Sequence, residues 1–250
     1  MIKAIFFDLS GVLYEGAGAI PGAMDAIKKA QTTMLQVRFV TNTSRITRQQ
    51  ILLRLKTMGF KLSSYQLFSA PTAAKAQILA NNWRPYCLVH KNIKDEFEDI
   101  NQENPNAVLI GDAEEDFCYP KLDYAFQLCR TGAPLIGIGR NRYFKHDGKL
   151  HLDAGPFIHA IEYAASVKAI IMGKPSIDFF RQVAASTRVK TNEILMIGDD
   201  VFGDIDGAIK SGMQACLVKT GKYQTGDENL ISGKFACVDS VVEAVELAIS

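Results

Sequence analysis

The chain has 250 residues, 48% hydrophobic and 22% charged, enough for one large domain or two modest ones. With 28 basic and 27 acidic residues the net charge is +1, too little to draw nucleic acid or an anionic membrane surface. No apolar run approaches the ~20 residues that span a bilayer, and the N-terminal run is too short for a signal-peptide core. The sequence therefore predicts a soluble, cytoplasmic protein with neither nucleic-acid nor membrane partners. Its 5 cysteines are odd in number, far apart and without a Cys-x-x-Cys pair, which argues against a disulfide framework or zinc site. They read as small buried hydrophobes, Cys129 above all.

The first element is Ala4-Ile5-Phe6-Phe7-Asp8, a continuous apolar run ending on a carboxylate and followed by Ser10 and Gly11. Such a run, without alternation, fits a strand buried on both faces, as in a parallel sheet. Gly16, Gly18 and Gly22 then read as a flap. Val37-Arg38-Phe39-Val40 is a second strand and runs into Thr41-Asn42-Thr43-Ser44. Ile51, Leu52, Leu55 and Met58 fall at helical spacing, with Gly59 at the stop. Residues 65–69 are a weaker strand.

Residues 81–170 read as a small α/β domain inserted into the larger one, made of 1–80 and 171–250. The insert has apolar runs at 86–89, 107–110 and 135–138. One helical stripe is Leu122, Ala125, Phe126 and Cys129; another is Phe157, Ile158, Ile161, Ala164 and Ala165. Asp147-Gly148 between two short runs reads as a hairpin turn. Asn81 to Pro85 marks the incoming hinge; the outgoing one, near 168–173, is less sharp because Ala169-Ile170-Ile171-Met172 is itself strand-like. Beyond the insert, Ile177, Phe180, Val183 and Ala184 form a helix. Ile194-Leu195-Met196-Ile197, running into Gly198-Asp199-Asp200, and Ala215-Cys216-Leu217-Val218 form strands. Strands alternating with helices predict an α/β fold, a doubly wound parallel sheet with an inserted α/β cap.

In such sheets ligands bind beyond the carboxyl ends of the strands. Four polar clusters fall there: Asp8 with Ser10, Thr41 with Asn42, Lys174, and Asp199 with Asp200 and Asp204. Singly each has an ordinary explanation: a strand end, a helix cap, a solvated lysine, turn acids. Together they fit phosphoryl transfer. A phosphate dianion repels an attacking carboxylate until its charge is neutralised, and magnesium, a hard cation, suits oxygen donors such as Asp8 and Asp199. Lys174 would add a fixed positive charge. Thr41 and the amides of Asn42 and Thr43 would hold the phosphoryl oxygens. Asp8 would then attack phosphorus, giving an aspartyl-phosphate that water opens.

Asp8-Leu9-Ser10-Gly11-Val12-Leu13, Val40-Thr41-Asn42, Gly173-Lys174-Pro175 and Gly198-Asp199-Asp200-Val201-Phe202-Gly203-Asp204 resemble the four motifs of haloacid-dehalogenase-type phosphatases. The large insert between the second and third is similar to the cap of the NagD-like branch. More narrowly, Lys219-Thr220-Gly221-Lys222-Tyr223 and Gly139-Arg140-Asn141-Arg142-Tyr143-Phe144-Lys145 are similar to phosphatases of phospholysine, phosphohistidine and inorganic pyrophosphate. The resemblance implies catalytic roles for Asp8 and Lys174. It implies substrate contacts from Asp8, Leu9, Ser10, Thr41, Asn42, Thr43 and Lys174. Mg2+ would be held by Asp8, the Ser10 carbonyl, Asp199 and Asp204. Asp200 is a second candidate for ordering the metal through its waters, with Asp204 ranked the lower of the two as a direct ligand. A homodimer through the cap is also implied, and a small phosphorylated molecule or phosphoprotein side chain as substrate.

One position departs from that pattern. Most of these phosphatases carry a second aspartate two residues after the nucleophile, to protonate the leaving group; here it is Ser10. Losing that acid should slow hydrolysis of alkyl phosphates by roughly 10²–10⁴-fold, so pyrophosphate or N-phosphorylated substrates are expected. The alternative is a catalytically weak phosphate-binding or protein-interaction scaffold on the same fold. A phosphate-switched receiver module is disfavoured, because it needs about half this length and its acid pair precedes the phosphorylated aspartate. His90, His146, His151 and His159 all lie in the insert without zinc-ligand spacing and read as surface or core-edge histidines; His159, beside the apolar stripe, is the candidate for partial burial. Lys219 is placed at the rim, and Gly111-Asp112 at a cap strand end.

Overall fold

The computed structural model describes residues 1–146 and 149–249, so the turn expected at Asp147-Gly148 lies outside the described residues. The chain divides into two compact units. Met1–Thr41, Ile51–Phe68 and Lys174–Ser250 make one; Asn42–Gln50 and Ser69–Gly173 make the other.

The first unit begins with β1 (Ala4–Asp8), the hairpin β2 (Tyr14–Glu15) and β3 (Gly18–Ala19), α1 (Ala23–Thr32), β4 (Gln36–Thr41), α2 (Arg48–Thr57) and β5 (Leu67–Ser69). The segment read as a flap is thus a two-stranded ribbon. The weak strand at 65–69 starts only at Leu67, because Ser64–Gln66 turn as a tight helix boxed by Ser63 and Gln66. The unit closes with α6 (Ile177–Ala185), β12 (Ile194–Gly198), α7 (Gly207–Lys210), β13 (Gln214–Val218), β14 (Ala236–Val238) and α8 (Val241–Ile249). Its sheet runs β14-β13-β12-β1-β4-β5, and its paired registers are parallel. Every residue of β1 and β12 is buried, as the unbroken apolar runs require of strands covered on both faces. Phe6, Phe7, Phe39, Phe179 and Phe180 are among the largest fully buried side chains, each worth about 1.5–3 kcal/mol of burial.

The second unit holds α3 (Ala70–Ala80), β6 (Pro85–Leu88), β7 (Ala107–Ile110), α4 (Tyr119–Arg130), β8 (Leu135–Gly137), the antiparallel pair β9 (Tyr143–His146) and β10 (Lys149–Leu152), α5 (Ala154–Ala165) and β11 (Ile170–Ile171). A parallel four-stranded sheet runs β11-β8-β7-β6, so the strand-like stretch near 170 completes this sheet. α3 precedes the expected hinge at 81–85 yet belongs to this unit. Ala125, Cys129, Ile158, Ile161 and Ala165 join Leu88, Val108, Ile110 and Leu135 in one core. Ala164 lies off that stripe and is exposed.

His159 is exposed, not partly buried: its side chain keeps 74% of its accessible surface beside Glu162. His90 is buried, its Nδ1 accepting from the Asn92 amide at 3.1 Å and its Nε2 lying 3.1 Å from Glu114. Asp112 is paired with Arg45 at 2.5 Å. Of the five cysteines, all free, only Cys129 and Cys216 are fully buried, and burial pushes their thiols up to about 11 and about 12. Among the described residues no helix is long and apolar enough to cross a membrane.

Candidate active site

Three neighbouring strands, β4, β1 and β12, end side by side, and their carboxyl ends carry the polar residues singled out above. Asp8 is the last residue of β1, Thr41 the last of β4, and Asp199 follows β12 at once. Because Asp8 is in register with Val40, Thr41 stands one residue beyond it on the adjacent strand. Parallel pairing alone brings residues separated by some 190 positions to one sheet edge.

Asp8, Asp199 and Asp204 each offer a carboxylate oxygen, and these oxygens lie within 4.8 Å of one another. All three residues are buried, as is Lys174. The Lys174 ammonium donates to Asp8 Oδ1 at 2.5 Å and to Asp204 Oδ1 at 2.5 Å. Burial works against its charge, but Asp204 and Asp8 outweigh it and hold its pKa above the usual lysine value. The acids respond in the opposite sense. Burial first, then the charges of Asp8 and Asp204, raise Asp199 well above an ordinary carboxyl. Burial also raises Asp204, to about 7; Lys174 opposes the rise and Asp8 and Asp200 add to it. Three buried carboxylates facing one ammonium form an underneutralised group. Its hard oxygen donors fit a small divalent cation such as Mg2+, which would relieve the repulsion.

Of the two acids that the sequence left open, Asp204 joins the carboxylate cluster and Asp200 does not. Asp200 opens a wide helical turn over Val201–Asp206, and its Oδ1 accepts from the amides of Phe202 and Gly203 at 3.1 and 2.8 Å. A carboxylate caps a helical N-terminus in this way, so Asp200 is turned aside and only half-buried. The turn carries Asp204 inward, where its Oδ2 accepts from the Asp200 amide at 3.2 Å. Sequence spacing could not show this, because the turn is wider than an α-helix and rotates residue 204 off the expected direction.

Two glycines let the backbone close on Asp199. A Cβ on Gly11 would lie 2.0 Å from Asp199 Oδ2, and one on Gly221 would lie 2.1 Å from the same atom; both residues have positive φ. The loop after β13 therefore belongs to the site. Thr220 Oγ1 donates to the Gly11 carbonyl, and the Lys222 amide donates to Asp199 Oδ2 at 2.7 Å. Lys219, expected at the rim, pairs with Asp239 at 2.9 Å on the surface. Lys222 is the residue that sequence reasoning passed over, although it stands in a stretch already singled out; only the positive-φ turn at Gly221 reveals which lysine faces inward. Leu9 is buried, and its carbonyl accepts from Leu13 at 2.8 Å, curling the loop; Ser10 is exposed. Asn42 and Thr43 belong to the second unit, where Asn42 Nδ2 donates to Asn141 Oδ1 at 3.1 Å. The Asn42 side chain is thus engaged within that unit.

Comparison with known proteins gives the family and the fold. Residues 5–103 match the family described as haloacid dehalogenase-like hydrolase, and residues 171–244 match one described as HAD-hydrolase-like. The chain is 41% identical over 254 residues to phospholysine phosphohistidine inorganic pyrophosphate phosphatase from Homo sapiens, covering 98% of this chain and 94% of that protein. It is 43% identical over 231 residues to haloacid dehalogenase-like hydrolase domain-containing protein 2 from Bos taurus, covering 92% and 89%. Among solved structures, the fold superposes on p-nitrophenyl phosphatase from Archaeoglobus fulgidus with a TM-score of 0.89 at 19% identity, covering 98% and 99%. NagD from E. coli K-12 gives 0.83 at 21% identity, covering 97% and 98%. With near-complete coverage at this identity, the chain is an enzyme of the haloacid dehalogenase-like hydrolase family.

Proposed function

We propose that the protein is a Mg2+-dependent phosphohydrolase acting through an aspartyl-phosphate on Asp8, with pyrophosphate or N-phosphorylated side chains as substrates. The observation that carries this reading is the buried Asp8–Lys174–Asp204 arrangement with Asp199 alongside. Asp8, Asp199 and Asp204, with the Ser10 carbonyl, would hold the cation, which supplies positive charge against the phosphoryl oxygens when bound. Lys174 orients Asp8 through Oδ1, so the other oxygen is the attacking atom. Thr41 and the amides of Asn42 and Thr43 bind phosphoryl oxygens, and the Leu9–Ser10 backbone lines the same loop. The insert expected at 81–170, extended by α3 before it and to Gly173 after it, acts as the cap, the rest of 1–80 and 171–250 as the core, and the protein is a cytoplasmic homodimer.

Substrate preference follows from Ser10. A hydroxyl is a poor acid near neutral pH, so leaving groups that depart unprotonated are favoured. The relatives named as acting on phospholysine, phosphohistidine and inorganic pyrophosphate support the same classes. The test is phosphate release from pyrophosphate, phosphoramidate and an alkyl monoester, with Mg2+ or EDTA, by wild type and Asp8→Asn. Mg2+-dependent turnover that Asp8→Asn abolishes, faster on the first two substrates, is expected. Faster turnover of the alkyl monoester would overturn the substrate assignment. No Mg2+-dependent turnover on any of them would leave a phosphate-binding scaffold.

A further inference from the structure

Lys222 touches the acidic group at two atoms. Its amide holds Asp199 Oδ2 at 2.7 Å, and its ammonium lies 3.1 Å from Asp200 Oδ2. The loop that carries it is anchored by Thr220 to the Gly11 carbonyl and packs Gly221 against Gly11, within the first unit. Asp200 has no place among the three clustered carboxylates, since its Oδ1 caps the Phe202–Gly203 turn. Its charge is nevertheless held beside them, two residues from Phe202 and next in sequence to Asp199.

Counting the half-buried pair with the buried group gives four carboxylates and two ammonium groups, a net charge of −2 when all are ionised. One divalent cation neutralises that charge. Lys174 is committed to Asp8 and Asp204, so Lys222 is the residue whose charge is spent on the outer acid. Without it the group stands at −3. It would then bind a cation more tightly and repel a dianionic phosphate more strongly.

We propose that Lys222 is a positioning residue that cancels the Asp200 charge and so sets the cation affinity of the acidic group. The inference rests on the Mg2+ reading above, and its test reads metal binding as well as activity. Mn2+, an oxygen-preferring divalent probe, is titrated into the full-length protein by electron paramagnetic resonance. Lys222→Met should lower the Mn2+ dissociation constant about threefold to tenfold, the size expected for one partly screened charge nearby. Asp200→Asn should raise it by a similar factor. The double variant and Lys222→Arg should bind as wild type does, and Lys222→Met should raise KM for pyrophosphate.

Weaker or unchanged Mn2+ binding in a folded Lys222→Met protein would overturn the proposal. If that variant does not fold, Asp200→Asn decides, and unchanged affinity there overturns it equally. Wild-type binding that Asp199→Asn abolishes, with Lys222→Met unmoved, removes the role of Lys222 alone. Wild-type protein that binds no Mn2+ removes the metal reading with it.

Discussion

Replacing Lys174 by methionine keeps an unbranched stem of similar volume and removes only the ammonium. The Lys174, Asp8 and Asp204 side chains retain 5%, 10% and 1% of their accessible surface, so water cannot replace the lost charge. Breaking a buried ion pair by removing one partner costs about 3–5 kcal/mol. Here one cation serves two carboxylates, which places the expected loss in the upper part of that range. The loss has a defined pH dependence. Burial, opposed by Lys174 and reinforced by Asp8 and Asp200, already raises the Asp204 carboxyl to about 7 from an unfolded value of 3.8. The folded protein therefore binds the extra proton more tightly. Stability from this group is fully present below 3.8 and is lost as pH rises through about 7. Without Lys174 the Asp204 carboxyl rises further, so the deficit of the variant should be largest above neutrality and shrink on acidification. Urea unfolding followed by circular dichroism in EDTA, at several pH values from about 5.5 to about 8.5, measures it. A deficit under about 1 kcal/mol at the alkaline end, or one of constant size across the range, would refute the electrostatic account.

Gly221→Ala should cost about 1–2 kcal/mol for its positive φ alone, and its Cβ would meet Asp199 Oδ2 at 2.1 Å and the Gly11 Cα at 2.4 Å. Mn2+ titration should show a clear loss of affinity, and wild-type affinity would mean that the loop yields freely. Ser10→Asp should raise alkyl monoester hydrolysis, with a ceiling of roughly 10²–10⁴-fold, as steady-state kinetics with p-nitrophenyl phosphate will show; no gain would mean that the missing acid is not what limits substrate range. Mg2+ at about one hundred times its dissociation constant should stabilise the wild type by about 2.7 kcal/mol in the same urea assay. Asp199→Asn should abolish most of that gain.

The strands of the core were legible because each is an apolar run of matching length, stopped by turn residues, and a strand covered on both faces leaves no other pattern. Asp8, Thr41 and Asp199 were legible for the same reason, since each simply ends such a run. Lys174 lies outside any strand and was found only through the company it keeps. What escaped depended on backbone direction over a few residues. The wide turn after Asp200 brings Asp204, left open beside Asp200, into the cluster, and the left-handed turn at Gly221 brings Lys222 inward. Neither turn changes composition or hydrophobic period, so no reading of residue types could reveal it. The exposure of His159 has a simpler cause: α5 buries Ile158 and Ile161, and the intervening residue is rotated about 100° from the first.

The central place of β1 in its sheet has a consequence for how the protein is made. Its neighbours are β4, synthesised soon afterwards, and β12, which follows only after the whole of the second unit has been made. Until then one margin of the N-terminal strand stays open, a template for pairing with other nascent chains. Closure across so wide a span is slow, so premature termination before residue 194 should yield an aggregation-prone fragment, whereas losing the final helix should leave the central ladder intact.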